Sequence, residues 1–339
     1  MDDNQVKYPG AFPNVRLRDN HNRAITYLRL SITDRCNLRC RYCRPEEGVP
    51  FVPHAEILSF EELERLARIF CGLGVDKVRV TGGEPFARKG CLEFLQKLRR
   101  ISGLRHLHIT TNGVETYQYI DGLAELNLDG INLSLDTLDY RRFRDITRRD
   151  KFEEVIQTLQ SIIEHRIPLK INSVVLEDTT DEEIIRLAGF ARDFPISVRF
   201  IERMPFSGDA APEKLVNGHL LQRLTRIFPD LAEQPHDSPT TARIFSPPGF
   251  TSTIGVIQGY SRLFCNTCNK VRITPVGMLK TCLYDNGVLD LKGMLRQGAD
   301  DNEIAAAIFG CIRKRCLNGH EAEQLAQRAG EPSMSSIGG

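Results

Sequence analysis

The sequence predicts an α/β fold, a partial (β/α)6 barrel of the TIM type with a C-terminal domain closing the barrel. Three observations lead there. Six apolar, strand-like runs alternate with amphipathic helical stretches between Ile25 and Glu202, and strands separated by helices form parallel sheets. The C-terminal ends of those runs carry glycines and small polar residues where a parallel barrel builds its site. After Glu202 the alternation stops, and a proline-rich stretch over 230–250 precedes a pattern of a different kind.

Residues 1–24 are polar and irregular and read as a lead-in that covers the barrel edge. The barrel spans 25–229, beginning with ITYLRLSI. The first helix has a complete start signal: Ser59 and Glu62 can form a capping box before EELERLARIF, and Gly72 and Gly74 close it. Further strands follow in DKVRVTG, LRHLHITTNG, LDGINLSLDT, PLKINSVVL and ISVRFIE, with helices in CLEFLQKLRR, FEEVIQTLQSIIEH and DEEIIRLAGFARDF between them. A helix is expected around 214–228, then the linker over 230–250. The C-terminal domain, 251–339, opens with a hairpin-like segment turning at Gly277 and carries a helix over 300–315.

Side-chain alternation divides each strand into two faces. One is apolar: Leu28 with Leu30, Val78 with Val80, Leu169 with Ile171, Val198 with Phe200. The other holds Tyr27, Arg29 and Ser31, then Lys77, Arg79 and Thr81, then Lys170 and Asn172, then Ser197, Arg199 and Ile201. Apolar faces pack on the helices, so Arg29, Arg79, Lys170 and Arg199 converge inside the barrel. Enclosed cations are costly unless neutralised. Either a polyanion such as a nucleoside triphosphate does this, or lumenal carboxylates such as Glu202 pair with them.

The chain has ten cysteines and eight histidines, the latter scattered without metal spacing. Cys36, Cys40 and Cys43 form C-x3-C-x2-C directly after the first strand, and Cys265, Cys268 and Cys282 form C-x2-C-x13-C beyond the linker. Thiolates suit zinc or iron–sulfur clusters. Neither triplet has a local fourth ligand for zinc, and the first spacing is wider than a usual zinc pair. A cubane on three cysteines keeps one iron open to another ligand. Two zinc knuckles remain the alternative. Cys71, Cys91, Cys311 and Cys316 read as structural.

A net charge of +1 argues against a general nucleic-acid or membrane-surface binder. The start, MDDNQVKYPG, lacks the apolar core of a secretion signal and the arginine bias of a transit peptide, and no apolar run could span a bilayer. A cytoplasmic protein with reduced thiols is the expectation.

The triplet with Tyr42 before its last cysteine resembles the signature of radical S-adenosylmethionine (SAM) enzymes. Within that superfamily, LRLSITDRCNLRCRYC, VRVTGGEP, ITTNG, INLSLD, KINSVV, RFIERMP, FCNTCNKVRIT with the later Cys282, and the terminal Gly338-Gly339 resemble the GTP 3',8-cyclase family of molybdenum cofactor biosynthesis. This resemblance implies a lyase with two [4Fe–4S] clusters, each on three cysteines, and SAM bound to the open iron of the first. Tyr42, Gly83, Glu84, Ser134 and Met204 would contact SAM, with Glu84 in the segment that holds the SAM amino group. Arg29, Arg79, Thr110, Lys170, Arg199, Lys270 and Arg272 would hold GTP, and the Gly338-Gly339 tail would reach back into the barrel. Where the family usually has an arginine two residues after the second cysteine, this chain has Lys270, which keeps charge and loses the planar fork. The implied reaction converts GTP to 3',8-cyclo-7,8-dihydroguanosine 5'-triphosphate. Its partners would be a flavodoxin- or ferredoxin-type electron donor and a downstream cyclic pyranopterin monophosphate synthase, and a homodimer is one assembly left open. A radical SAM peptide or protein maturase with an auxiliary cluster is the alternative activity.

Overall fold

The computed structural model describes residues 16–204, 219–235, 240–259 and 263–326. The six expected strands are β1 (Tyr27–Ser31), β2 (Lys77–Thr81), β3 (His106–Thr111), β4 (Gly130–Ser134), β5 (Leu169–Val175) and β6 (Ser197–Glu202). They pair in parallel in sequence order. The helices between them are α1 (Phe60–Gly72), α2 (Cys91–Arg99), α3 (Ile120–Glu125), α4 (Tyr140–Thr147), α5 (Phe152–Glu164) and α6 (Asp181–Asp193). Both arms of the Ser59–Glu62 capping box at α1 are made, and Thr180 with Glu183 repeats the device at α6. Each box satisfies two backbone donors that a helix start otherwise leaves open.

The parallel run does not stop at six. After α7 (His219–Ile227), the stretch expected as linker contains β7 (Ala232–Glu233) and β8 (Arg243–Ser246), which lead antiparallel into β9 (Ile254–Ile257). Strand β9 then pairs in parallel with β6. On the opposite edge β10 (Lys270–Ile273) pairs in parallel with β1, placing Lys270 opposite Tyr27 and Arg272 opposite Arg29. The hairpin expected around Gly277 is formed by β10 and β11 (Met278–Lys280), with Gly277 at a φ of 84° that favours glycine, and β12 (Leu289–Asp290) follows. The C-terminal strands thus lengthen the barrel sheet at both edges, an arrangement the sequence reading did not anticipate. The sheet is not closed by hydrogen bonds: among the described residues its ends are β12 and β7.

The core lies between sheet and helices. Leu28, Leu30, Val78, Val80, Ile171, Val198 and Phe200 are fully buried and pack with Leu63, Leu66, Phe70, Leu95 and Ile184 from the helices. Helices α8 (Leu291–Arg296), α9 (Asp301–Ile312) and α10 (Gly319–Ala326) are the last elements among the described residues. The lead-in is anchored from Leu17 onward, whose N–H donates to Leu73 O and whose side chain is buried. No helix among the described residues is long and apolar enough to cross a membrane. The Gly338-Gly339 tail lies outside the described residues.

Candidate functional site

Alternation, the most local of the sequence signals, sets what faces the inside of the sheet. A cavity of about 860 Å³ there is lined by Tyr27, Arg29, Lys77, Arg79, Lys170, Arg199, Lys270 and Arg272, and by all six cysteines of the two triplets. Both cysteine groups therefore open onto one space, with the cations between them.

The first triplet sits on a loop fastened from three sides. Arg39 N donates to Thr147 O and Arg41 N to Ile146 O, which seats the loop on the end of α4. Gly83 N donates to Thr33 O and Glu84 N to Arg35 O, both at 2.7 Å, so the TGGEP turn after β2 lies against the loop's backbone. Asn112, after β3, donates through Nδ2 to Asn37 Oδ1 at 2.7 Å and to Cys36 Sγ at 3.5 Å. Burial pushes the thiol of Cys36 up to about 11, with Glu84 adding to it, and raises Cys40 and Cys43 as well. Three such thiols are poor bare anions. They fit a centre whose own positive charge compensates each thiolate.

Tyr42, Gly83, Ser134 and Met204 line the cavity, and Tyr42 donates to Asp136 Oδ2 at 2.8 Å. Glu84 is placed differently. Its side chain is fully buried and does not line the cavity; it accepts from Phe86 N, Thr111 Oγ1 and Asn112 N. An ammonium contact from this carboxylate is therefore not what the geometry offers. The carboxylate instead ties the β2 turn to the β3 turn and so holds Asn112 at Cys36. Two backbone N–H groups and a hydroxyl occupy its acceptor sites.

The second triplet is assembled from three places. Cys265 lies in a 3-10 turn over Leu263–Thr267, Cys268 N donates to Cys265 O at 3.2 Å, and Cys282 N donates to buried Asp285 Oδ2 at 2.8 Å. Burial drives Cys282 up to about 12. Cys268 goes the other way: burial raises it, but the cations of Arg315 and Lys270 lower it below its ordinary value. Donors from 315–319 to these sulfurs had no signal in the sequence. Cys316, read there as structural, also lines the cavity, whereas Cys71 and Cys91 are core residues. Among the described residues no three His, Cys, Asp or Glu side chains are grouped so as to hold a single metal ion.

The cations between the triplets repel one another. Burial and neighbouring positive charge lower Arg29 to about 9, Arg199 to about 10 and Lys170 to about 8, and they also lower Lys77 and Lys270, while burial alone lowers Arg272. Arg29, Arg199 and most of Lys170 stay charged at neutral pH, at a free-energy cost. Lys170 stands at the mouth, where solvent relieves part of it. Among the described residues none of Lys77, Arg79, Lys170, Arg199 and Lys270 has a carboxylate within ion-pair distance. His108 is forced down to about 2 by burial and by Arg79 and Lys77, and stays neutral. Thr110 is joined to the group through a 3.4 Å contact from Arg79 Nη1. Lys77 and His108 belong to this surface and were not among the expected ligand contacts.

Residues 30–191 match the Radical SAM superfamily, and residues 196–320 match Molybdenum Cofactor Synthesis C. The chain is 38% identical over 335 residues to the GTP 3',8-cyclase of Moorella thermoacetica, covering 95% of this chain and 100% of that protein. It is 40% identical over 302 residues to Molybdenum cofactor biosynthesis protein 1 of Bos taurus, covering 88% of this chain but 48% of the relative. The chain thus spans about half the length of these animal relatives. Among solved structures, Streptococcus suis SuiB bound to S-adenosylmethionine matches with a TM-score of 0.60 at 18% identity, covering 87% of this chain and 67% of that one. That likeness is one of fold.

Proposed function

Since the chain belongs to the radical SAM superfamily, and within it to the GTP 3',8-cyclase family, we propose that it converts GTP to 3',8-cyclo-7,8-dihydroguanosine 5'-triphosphate. The observation that carries this reading is the single cavity in which two cysteine triplets flank a group of cations. A peptide or protein maturase would have no use for so many positive charges.

Cys36, Cys40 and Cys43 would hold one [4Fe–4S] cluster, and Cys265, Cys268 and Cys282 a second. When bound, the first cluster and SAM would supply the radical chemistry, reductive cleavage of SAM and removal of hydrogen from C3' of GTP, that joining C3' to C8 of guanine requires. The chain's residues bind and orient. Tyr42, Gly83, Ser134 and Met204 line the SAM end. Arg29, Lys77, Arg79, Lys170 and Arg199 hold the triphosphate through charge-assisted hydrogen bonds, and Thr110 lies beside the nucleotide. Lys270 and Arg272 lie towards the second triplet, where the purine would sit. A flavodoxin- or ferredoxin-type protein would donate the two electrons each turnover consumes, one for SAM cleavage and one that, with a proton, completes the 7,8-dihydro product, and cyclic pyranopterin monophosphate synthase would take that product.

The test is anaerobic reconstitution followed by iron and sulfide counts and product analysis. Cys36→Ala should lose deoxyadenosine formation and cyclisation together. Cys282→Ala should keep deoxyadenosine formation and lose cyclisation. A Cys282→Ala protein that still cyclises GTP would remove the second triplet from the reaction.

A further inference from the structure

The segment 315–319 runs past the second triplet and aims two donors at its sulfurs. Arg315, only 4% exposed, places Nη2 at 3.1 Å from Cys268 Sγ and 3.1 Å from Lys270 O, and Nη1 at 2.8 Å from Cys268 O. Gly319 N, at the start of α10, lies 3.4 Å from Cys265 Sγ. Asn318 Oδ1 accepts from His320 N and Glu321 N, leaving the Gly319 N–H to the sulfur. The segment is clamped from the N-terminal side. Buried Arg23 donates to Cys265 O, Cys316 O and Leu317 O, and Asp19 holds Arg23 at 2.6 Å and Arg315 at 3.4 Å.

We propose that Arg315, supported by the Gly319 N–H, is a positioning residue that raises the reduction potential of the cluster on Cys265, Cys268 and Cys282 above that of the first. The inference rests on the two-cluster reading. Reduction adds one negative charge to a cluster and its thiolates, and donors and a cation at the ligand sulfurs stabilise that extra charge. The first triplet is served differently among the described residues: its sulfurs take neutral donors, the Leu38 N–H and the Asn112 amide at Cys36 and Tyr42 at Cys40. Arg44 acts on Cys36 and Cys43 through space while its own donor goes to Asp34 O, and the carboxylates of Glu84 and Asp136 bear on Cys36 and Cys40. The second cluster is therefore the one that holds an electron more readily.

The test is an electron-paramagnetic-resonance redox titration of full-length chains carrying one cluster each. The Cys36→Ala/Cys40→Ala/Cys43→Ala protein should reduce at a higher potential than the Cys265→Ala/Cys268→Ala/Cys282→Ala protein. In the former background Arg315→Gln, which keeps N–H donors but loses the charge, should lower the reduced-to-oxidised ratio at fixed potential about tenfold, a shift of about 59 mV for one electron. Arg315→Lys should recover most of it. Gly319→Pro, which deletes one N–H at a helix position that tolerates proline, should shift in the same direction as Arg315→Gln. Equal potentials for the two single-cluster proteins overturn the proposal, as does no shift at parental iron content in either Arg315→Gln or Gly319→Pro. A first-triplet variant that takes up no iron overturns the two-cluster reading and the inference with it.

Discussion

Arg79 Nε donates to the phenolic oxygen of Tyr27, across neighbouring strands β1 and β2. Burial would raise this phenol, yet the cations of Arg79, Arg29 and Lys77 pull it down to about 7 from an ordinary 10.0. Tyr27 thus acts as a partial counter-charge in a site built for a larger one. Because the folded value is depressed, the stabilisation it brings is present above the ordinary value and is lost as pH falls through about 7. A bound polyanion takes over that role and lets the phenol rise again. At about pH 8, adding GTP should abolish part of the ultraviolet phenolate absorbance, and Tyr27→Phe should show no such change. An unchanged phenolate band in the parent protein on saturation with GTP would place the triphosphate elsewhere.

Removing a lumenal cation should weaken a triphosphate selectively. A hydrogen bond to a charged group contributes about 1.5 to 3 kcal/mol, so Arg199→Ala should weaken GTP binding roughly 10- to 150-fold while leaving guanosine nearly unchanged. Lys170 stands at the solvent-facing mouth, where screening reduces the effect, and Lys170→Ala should fall at the lower end. Calorimetry with GTP and guanosine on each variant distinguishes this from a general loss of structure, which would weaken both ligands equally.

Gly83 has no room for a side chain. A Cβ there would lie 2.3 Å from Arg35 O and 2.8 Å from Asp34 O, both rigid backbone atoms. Gly83→Ala should cost about 1 to 3 kcal/mol and push the β2 turn off the cysteine loop. Iron at the first triplet should fall while iron at the second stays. Gly72→Ala, with nothing within 4 Å of the added carbon, serves as the harmless control.

Glu84 gives a pH signature. Burial raises its carboxyl to about 7, although hydrogen bonds from Asn112 N, Phe86 N and Thr111 pull the other way. A raised folded value means the contribution is fully present below the ordinary 4.5 and is lost as pH rises through about 7. Thermal unfolding of the metal-free chain should therefore show a decline over that window that Glu84→Gln removes. The glutamine amide cannot accept at both ends, so the variant should also be less stable at every pH. A parent and variant with parallel pH profiles would show that Glu84 titrates normally.

Much of the site was legible because its signals are local. Arg29, Arg79, Lys170 and Arg199 were assigned to one lumenal face by period-two alternation, and the structure lines the cavity with all four. The direction of the Glu84 carboxylate was not legible for the opposite reason: it is set by Thr111, at the end of β3, and by Asn112 in the turn that follows, both distant in the chain.

By itself the sequence determined the order of the six barrel strands and of helices α1, α2, α5 and α6 between them, the capping box at Ser59, the faces of the strands and the two cysteine spacings, all consequences of neighbours within a few residues. Only the tertiary structure decided that β9 and β10 join opposite edges of one sheet, and that both triplets open onto one cavity. It also decided that Arg315 reaches Cys268 across 47 residues. An open sheet edge accepts any strand of compatible geometry, and a guanidinium donates to whichever acceptor folding brings within reach. Neither choice is encoded within a turn of helix or a single strand, so neither can be read before the chain has packed.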